Sequence, residues 1–303
     1  MRRLVLLAAL VAACTEPDYW ALKVGGGGTT GVAIWISDSP VDEADQLFVT
    51  IDSVELQGPG GSVVLASSPQ EVELLSLRNG RRELLATGTA PKGAYDRIVL
   101  RLSSSRGAHH LTLDGADRAL DVADPVVEID GPFGINGSTD LLVDFNARMS
   151  LLGDTLRPVC TAADLATARF VDGFVLDERG RPVADAVVSA QRGGDEVCSG
   201  RTDADGAFKL GPAPAAPLVL VATAAGRGIA TGAGPVLVLP PGDTGELTGH
   251  AAGSYVRLMQ GGSLIAVAGI EGGAFAFRQV PSGAYELEIW GAGGLLEVRP
   301  IER

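Results

Sequence analysis

The sequence predicts an all-β protein, built as tandem β-sandwich domains behind an export leader and a flexible tether. Three observations carry this expectation. Apolar residues recur at every second position in many short runs. Gly is abundant, at 41 of 303 residues, and is joined by 17 Pro, which suits short strands linked by turns. No stretch holds a helical period for long, although 68–77 and 160–168 are each compatible with a short helix. With 46% hydrophobic and 20% charged residues, the bulk is globular rather than disordered. The length allows two or three domains, each with its own core.

The first element is the leader, residues 1–13, MRRLVLLAALVAA. Arg2 and Arg3 form a positive start, and Leu4 to Ala13 are ten unbroken apolar residues. A membrane-spanning helix needs roughly 20, so this run fits the core of a signal peptide instead. The run Val11-Ala12-Ala13-Cys14 resembles the bacterial lipobox. That resemblance implies cleavage before Cys14, a thioether-linked diacylglycerol on its sulfur and acylation (palmitate or a similar chain) of the new amine. Two or more chains anchor a protein stably, at ~0.8 kcal/mol per buried CH₂. Thr15, where some lipoproteins carry Asp, implies sorting to the outer membrane. The expected location is therefore the cell envelope. Losing the two positive charges of Arg2 and Arg3 takes the formal charge from −13 to −15, which repels nucleic acid.

Residues 14–30 follow as the lipidated Cys and a Gly-rich tether that reaches on the order of 20 Å as a coil. From residue 31 the pattern becomes β. Leu47, Val49 and Ile51 share one face, then Val54 and Leu56 carry it at even positions. That change of parity predicts a bulge near Asp52-Ser53. Ile98, Leu100 and Leu102 alternate against Arg97 and Arg101, and Leu141, Val143 and Phe145 against Asp140, Asp144 and Asn146. The segments SDSPVDEADQLFVTIDSVEL (37–56), LLSLRNG (74–80), PKGAYDRIVLRL (91–102), LTLDG (111–115), DLLVDFN (140–146) and LRPV (156–159) resemble, in order, domain-of-unknown-function family 4382. The resemblance covers about half the chain and implies an exported β-sandwich-like domain over 31–160, with no activity attached.

Residues 169–244 form the second module. Here Gly173, Val175, Gly180, Pro182-Val183, Ala186, Val188, Thr202-Asp203, Gly206 and Phe208 are similar to the carboxypeptidase-regulatory-like, or transthyretin-like, sandwich, which is an accessory and not a catalytic domain. Gly180 suits a turn needing positive φ. Asp203 and Asp205 suit amide-bonding turn positions before Gly206, and Phe208 should be buried. Residues 245–303 read as a degenerate further copy. Their Pro281-Ser282-Gly283-Ala284-Tyr285 echoes Pro91-Lys92-Gly93-Ala94-Tyr95, one turn solution used twice.

Chemistry is thinly supported. The three His, His109, His110 and His250, have no metallopeptidase spacing, and adjacent His109 and His110 should face opposite sides at a loop edge. Asp38, Asp42, Glu43 and Asp45 offer clustered oxygen ligands suited to Ca²⁺, as do Asp203 and Asp205. Neither set completes an EF-hand loop, and turn-forming is the other reading of both. Cys160 and Cys198 remain beyond Cys14, as one disulfide joining the first two modules or as two buried thiols. No catalytic residue or required cofactor is expected. The function these features predict is a non-enzymatic envelope scaffold that presents its loops to a glycan or protein partner. The alternative is a glycan hydrolase pairing Asp38 with Asp144, which needs the two carboxylates ~5–9.5 Å apart.

Overall fold

In the computed structural model, which describes residues 28–38, 44–77, 79–113 and 115–303, the alternating runs become the strands of three sandwich-like modules. Cys14, Asp42 and Glu43 lie outside the described residues, and Asp38 is described by its backbone alone. No helix among the described residues is long and apolar enough to cross a membrane.

The first module stacks two sheets. One orders Cys160–Asp164, Thr139–Phe145, Thr29–Asp38 and Glu83–Pro91; the other orders Val126–Ile135, Gly93–Leu102, Gln46–Gly58, His110–Leu113 and Ala116–Ala119. Ile34, Ile36, Leu141, Val143 and Phe145 of the first share one core with Leu47, Val49, Ile51, Ile98 and Leu100 of the second. The register of Gln46–Gly58 shifts between Ile51 and Ser53, where the apolar parity changes. Two segments compatible with helix take other forms. Cys160–Asp164 is a strand antiparallel to Thr139–Phe145, because pairing satisfies its backbone along the module's sheet. In 68–77, Gln70–Glu73 pairs with Phe48–Ile51 and only Leu74–Ser76 turns, as a single 3₁₀ turn. That route buries Val72, Leu74, Leu75 and Leu77 together.

The second module sets Arg169–Asp177 between Ala207–Ala213 and Val236–Leu239, facing the sheet Asp195–Arg201, Val187–Arg192, Val219–Thr223 and Ala230–Gly232. Gly180 takes φ +72°. Asp203 Oδ1 accepts the N–H groups of Asp205 and Ala207, each at 2.9 Å, in the turn before Gly206. Phe208 is buried. In the third module Thr244–His250 pairs with Ala274–Pro281, against Ser263–Gly269, Tyr255–Gln260, Ala284–Gly291 and Gly294–Glu302.

The repeated Pro-x-Gly-Ala-Tyr has a shared physical cause. The Tyr95 hydroxyl donates to the Pro91 carbonyl at 3.0 Å, and the Tyr285 hydroxyl to the Pro281 carbonyl at 2.6 Å. Each ring is buried and ties the turn to the strand it enters, so its polar tip is paired. Tyr95→Phe and Tyr285→Phe are each expected to cost about 0.5–1.5 kcal/mol. The two losses should add in urea unfolding, because the residues share no partner; strong coupling between them would contradict two independent corners.

Candidate functional site: the junction of three modules

The three modules are packed together, not strung out. The cause lies in strands whose second face is also covered. Along Val187–Arg192, Val188 and Ala190 belong to the second module's own core, yet Val187, Ser189 and Gln191 on the opposite face are buried too. Val221 from the neighbouring strand joins the third module's core. The two polar residues on this face are satisfied there. Gln191 Nε2 donates to the Leu264 carbonyl at 2.7 Å while its Oε1 accepts the Leu264 N–H at 2.8 Å, so the amide pairs with the third module as a strand would. Arg257 of the third module donates to the Gly194 carbonyl at 2.7 Å and lies 3.1 Å from Asp195 Oδ1.

Thr139–Phe145 shows the same behaviour in the first module. Leu141, Val143 and Phe145 point into its core, while Leu142 and Asp144 on the other face are buried as well. Asn146 caps the short helix Ala147–Ser150 by accepting the Met149 N–H at 3.0 Å. That turn aims Arg148 into the junction. Arg148 Nη1 donates to Glu196 Oε2 of the second module at 2.6 Å, and Nη2 donates to the Ile265 carbonyl of the third. One side chain from the first module thus bonds both others. The Glu196 carboxylate, fully buried, also accepts from Asn146 Nδ2 at 3.1 Å and Ser199 Oγ at 2.8 Å. A buried carboxylate needs such donors.

Asp144 sits in the same region and accepts from Ser37 Oγ at 3.3 Å. Burial, opposed by the Ser37 hydrogen bond and aided by the Glu196 charge, lifts its carboxyl to about 7. The hydrolase pairing fails on this geometry. Asp144 stands opposite Ser37 in the parallel register and Asp38 stands opposite Phe145. A carboxylate 4% exposed beneath a module interface cannot flank a glycosidic bond.

Cys160 and Cys198 are not joined by a disulfide. Cys160 packs against the first module's core and Cys198 lies inside the second's, so the expected bridge is not formed. Burial, together with nearby Asp144 and Glu196, pushes the Cys198 thiol far above its usual range, which suppresses thiolate chemistry. Alkylation of the unfolded chain without reductant is expected to label Cys198; its protection would contradict a free thiol there.

The remaining sequence candidates are dispersed. Asp45 is exposed, and its N–H donates to the Thr112 carbonyl. Asp203 and Asp205 serve the turn described above. Among the described residues no group of three or more His, Cys, Asp or Glu is placed to hold a metal. His110 stacks on Phe48 at 4.5 Å, as an edge residue would. His109, expected at the same edge, is instead buried. Its Nε2 lies 2.7 Å from the Ser103 carbonyl and its Nδ1 accepts the Thr50 N–H at 3.3 Å, which fits the Nε2–H tautomer. It is a structural pin. Asp177 escaped sequence reasoning: it accepts the N–H groups of Arg179 and Arg181 and the Arg181 guanidinium. These bonds hold its carboxyl down at about 2.

An open cleft of about 650 Å³ lies beside the junction, between the first and third modules. Leu113, Arg118 and Asp154 line it from the first; Thr248, His250, Ala276 and Arg278 line it from the third. The two walls meet closely, since a Cβ added at Gly269 would lie 2.6 Å from the Gly153 nitrogen. The size is that of a small-molecule or short-oligomer site.

Comparison with known proteins fits the module order. Residues 29–157 match the Domain of unknown function (DUF4382) family, and residues 171–250 match the carboxypeptidase regulatory-like domain. No curated protein matches the chain. Among solved structures, the Bacillus anthracis TIE protein is similar at 15% identity and TM-score 0.19, over 90% of this chain and 48% of that one. The chain thus spans about half the length of that protein. A Streptococcal ancillary pilin is similar at 10% identity and TM-score 0.20, over 90% and 96%. BcpA, the major pilin subunit of Bacillus cereus, is similar at 11% and 0.16, over 91% and 95%.

Proposed function

We propose that this chain, a DUF4382 domain joined to a carboxypeptidase regulatory-like domain and a third β module, is a lipid-anchored, non-catalytic binding protein of the cell envelope. Neither family description names a reaction. Cys14 carries the anchor, and the modules act as one rigid head on the tether. The supporting observation is the cleft between the first and third modules, whose walls are joined by the buried Arg148 bond to Ile265, with Gln191 holding the third module on the second. A preformed concavity on a rigid frame loses little ordering entropy on binding. Its apolar floor and mixed charges, with Arg118 and Arg278 beside Asp154 and Glu271, suit an envelope glycan or an extended protein segment.

Two measurements test this reading. Cys14→Ser is expected to abolish incorporation of a fatty-acid probe; retained label would overturn the anchor. Ala276→Trp places an indole in the cleft from an exposed position. It is expected to weaken retention on immobilised envelope glycan or protein fractions at least tenfold, and retention equal to the parent chain would overturn the cleft as the binding site.

A further inference from the structure

A second, smaller cavity of about 100 Å³ lies at the seam of the first two modules, apart from the cleft. Its lining joins Ser37, Asn79 and Arg82 of the first module to Phe170, Ser199 and Lys209 of the second. The chain is acidic overall, yet both charged groups lining this cavity are cations. Among the described residues neither Arg82 nor Lys209 has a carboxylate within ion-pair distance. Each is held by an aromatic face instead: the Arg82 guanidinium lies 5.0 Å from the Trp35 ring centroid, and the Lys209 ammonium 4.9 Å from that of Phe170. Such contacts fix a cation's position without neutralising it.

The loop between them is shaped to the same end. Asn79 takes φ +58° and Gly80 φ +76°, and the aliphatic stem of Lys209 lies across Gly80, where an added Cβ would meet it at 3.3 Å. The ammonium is thereby brought from the second module to the mouth of a hollow in the first. Two acids stand one layer behind the hydroxyls of this cavity, while exposed Asp172 lies across the strand pair from Lys209 without forming an ion pair with it. Glu196 behind Ser199 is paired to Arg148, and Asp144 behind Ser37 is uncharged below about pH 7.

We propose that this cavity is an oxyanion site shared by the first two modules, taking one compact tetrahedral anion of phosphate or sulfate type between Arg82 and Lys209, with Asn79 as a further donor. The hollow has room for such a group and little more, and opposed cations are the usual recognition of it. The same chemistry is offered by a free anion and by the phosphate of a lipid headgroup, which a tethered head would meet at the membrane.

Titrating inorganic phosphate into the full-length chain in neutral detergent, at low ionic strength, tests the site. Saturable binding of one phosphate per chain is expected, weakening as salt is raised. Arg82→Gln and Lys209→Gln, both at exposed positions, should each reduce affinity about tenfold or more. Arg192→Gln, a charge-matched change at an exposed strand end, should leave it unchanged. Competition by dispersed short-chain phosphatidylglycerol would assign the anion to a headgroup, and competition by glycerol phosphate alone to a soluble ester. Absence of saturable phosphate binding overturns the proposal, as does equal affinity in the parent and both Gln variants. Lys209→Arg, which keeps the charge, should retain binding and so separates loss of the site from loss of the fold.

Discussion

Replacing Arg148 with methionine is expected to destabilise the chain by about 3–5 kcal/mol and to split its unfolding into more than one transition. The size follows from what is left behind. Glu196 is fully buried, and its 2.6 Å partner disappears, stranding a charge inside the protein. The carbonyl of Ile265 loses a donor in the same stroke, adding the cost of an unsatisfied buried acceptor. The splitting follows from topology. Each module keeps its own apolar core, so loss of the shared bond weakens the coupling more than the parts. Calorimetry would show a single cooperative peak in the parent and resolved peaks in the variant. The partner change Glu196→Leu, added to Arg148→Met, should recover most of the loss, because an apolar pair leaves no stranded charge. A single unshifted transition in Arg148→Met would show that the junction is not held there.

That junction marks where sequence reasoning stops. Within a module the strands were readable, because alternation at 47–56, 98–102 and 141–145 reports a core on one side. The turn at Gly180, the Asx turn at Asp203 and the bulge after Ile51 were readable for the same local reason: each needs a residue type at a fixed offset. The second face was not readable. Asp144 and Asn146 alternate with apolar neighbours and so look solvated, yet both are buried. The partners that bury them come from far along the chain. Asn146 meets Glu196 50 residues later, and Arg148 meets Ile265 117 residues later. No local period records such a meeting. One signal was present: Val187 to Gln191, VVSAQ, carries no charge on either face, which is how a strand covered on both sides reads. His109 shows the reverse limit. Adjacent His residues must point apart, but which one turns inward depends on Ser103 and Thr50 closing around it.

The same buried face makes stability depend on pH in an unusual direction. Most carboxylates that matter to a fold have lowered values and fail in acid. Asp144 is raised from 3.8 to about 7, first by burial and then by the Glu196 charge. The folded chain therefore holds this proton more tightly than the unfolded one. The stabilisation is complete below the unfolded value near 3.8 and is lost as pH rises through about 7. Across that window the unfolding free energy is expected to fall by about 4 kcal/mol. Asp144→Asn removes the titration while keeping an Oδ1 to accept from Ser37. Its stability should be nearly level from pH 5 to 8 and should exceed the parent's at pH 8. Asp177 acts in the opposite sense and elsewhere. Held at about 2 by the Arg181 and Arg179 N–H groups and the Arg181 side chain, its contribution is present above the unfolded value and lost only as pH falls through 2. The two effects occupy separate ranges, so urea midpoints at pH 5, 6, 7 and 8 isolate Asp144. A parent and an Asp144→Asn variant that lose stability in parallel over that range would show that the proton sits on another group. If the variant stays level, ionisation of the single Asp144 carboxyl accounts for the stability the parent loses as pH rises through 7.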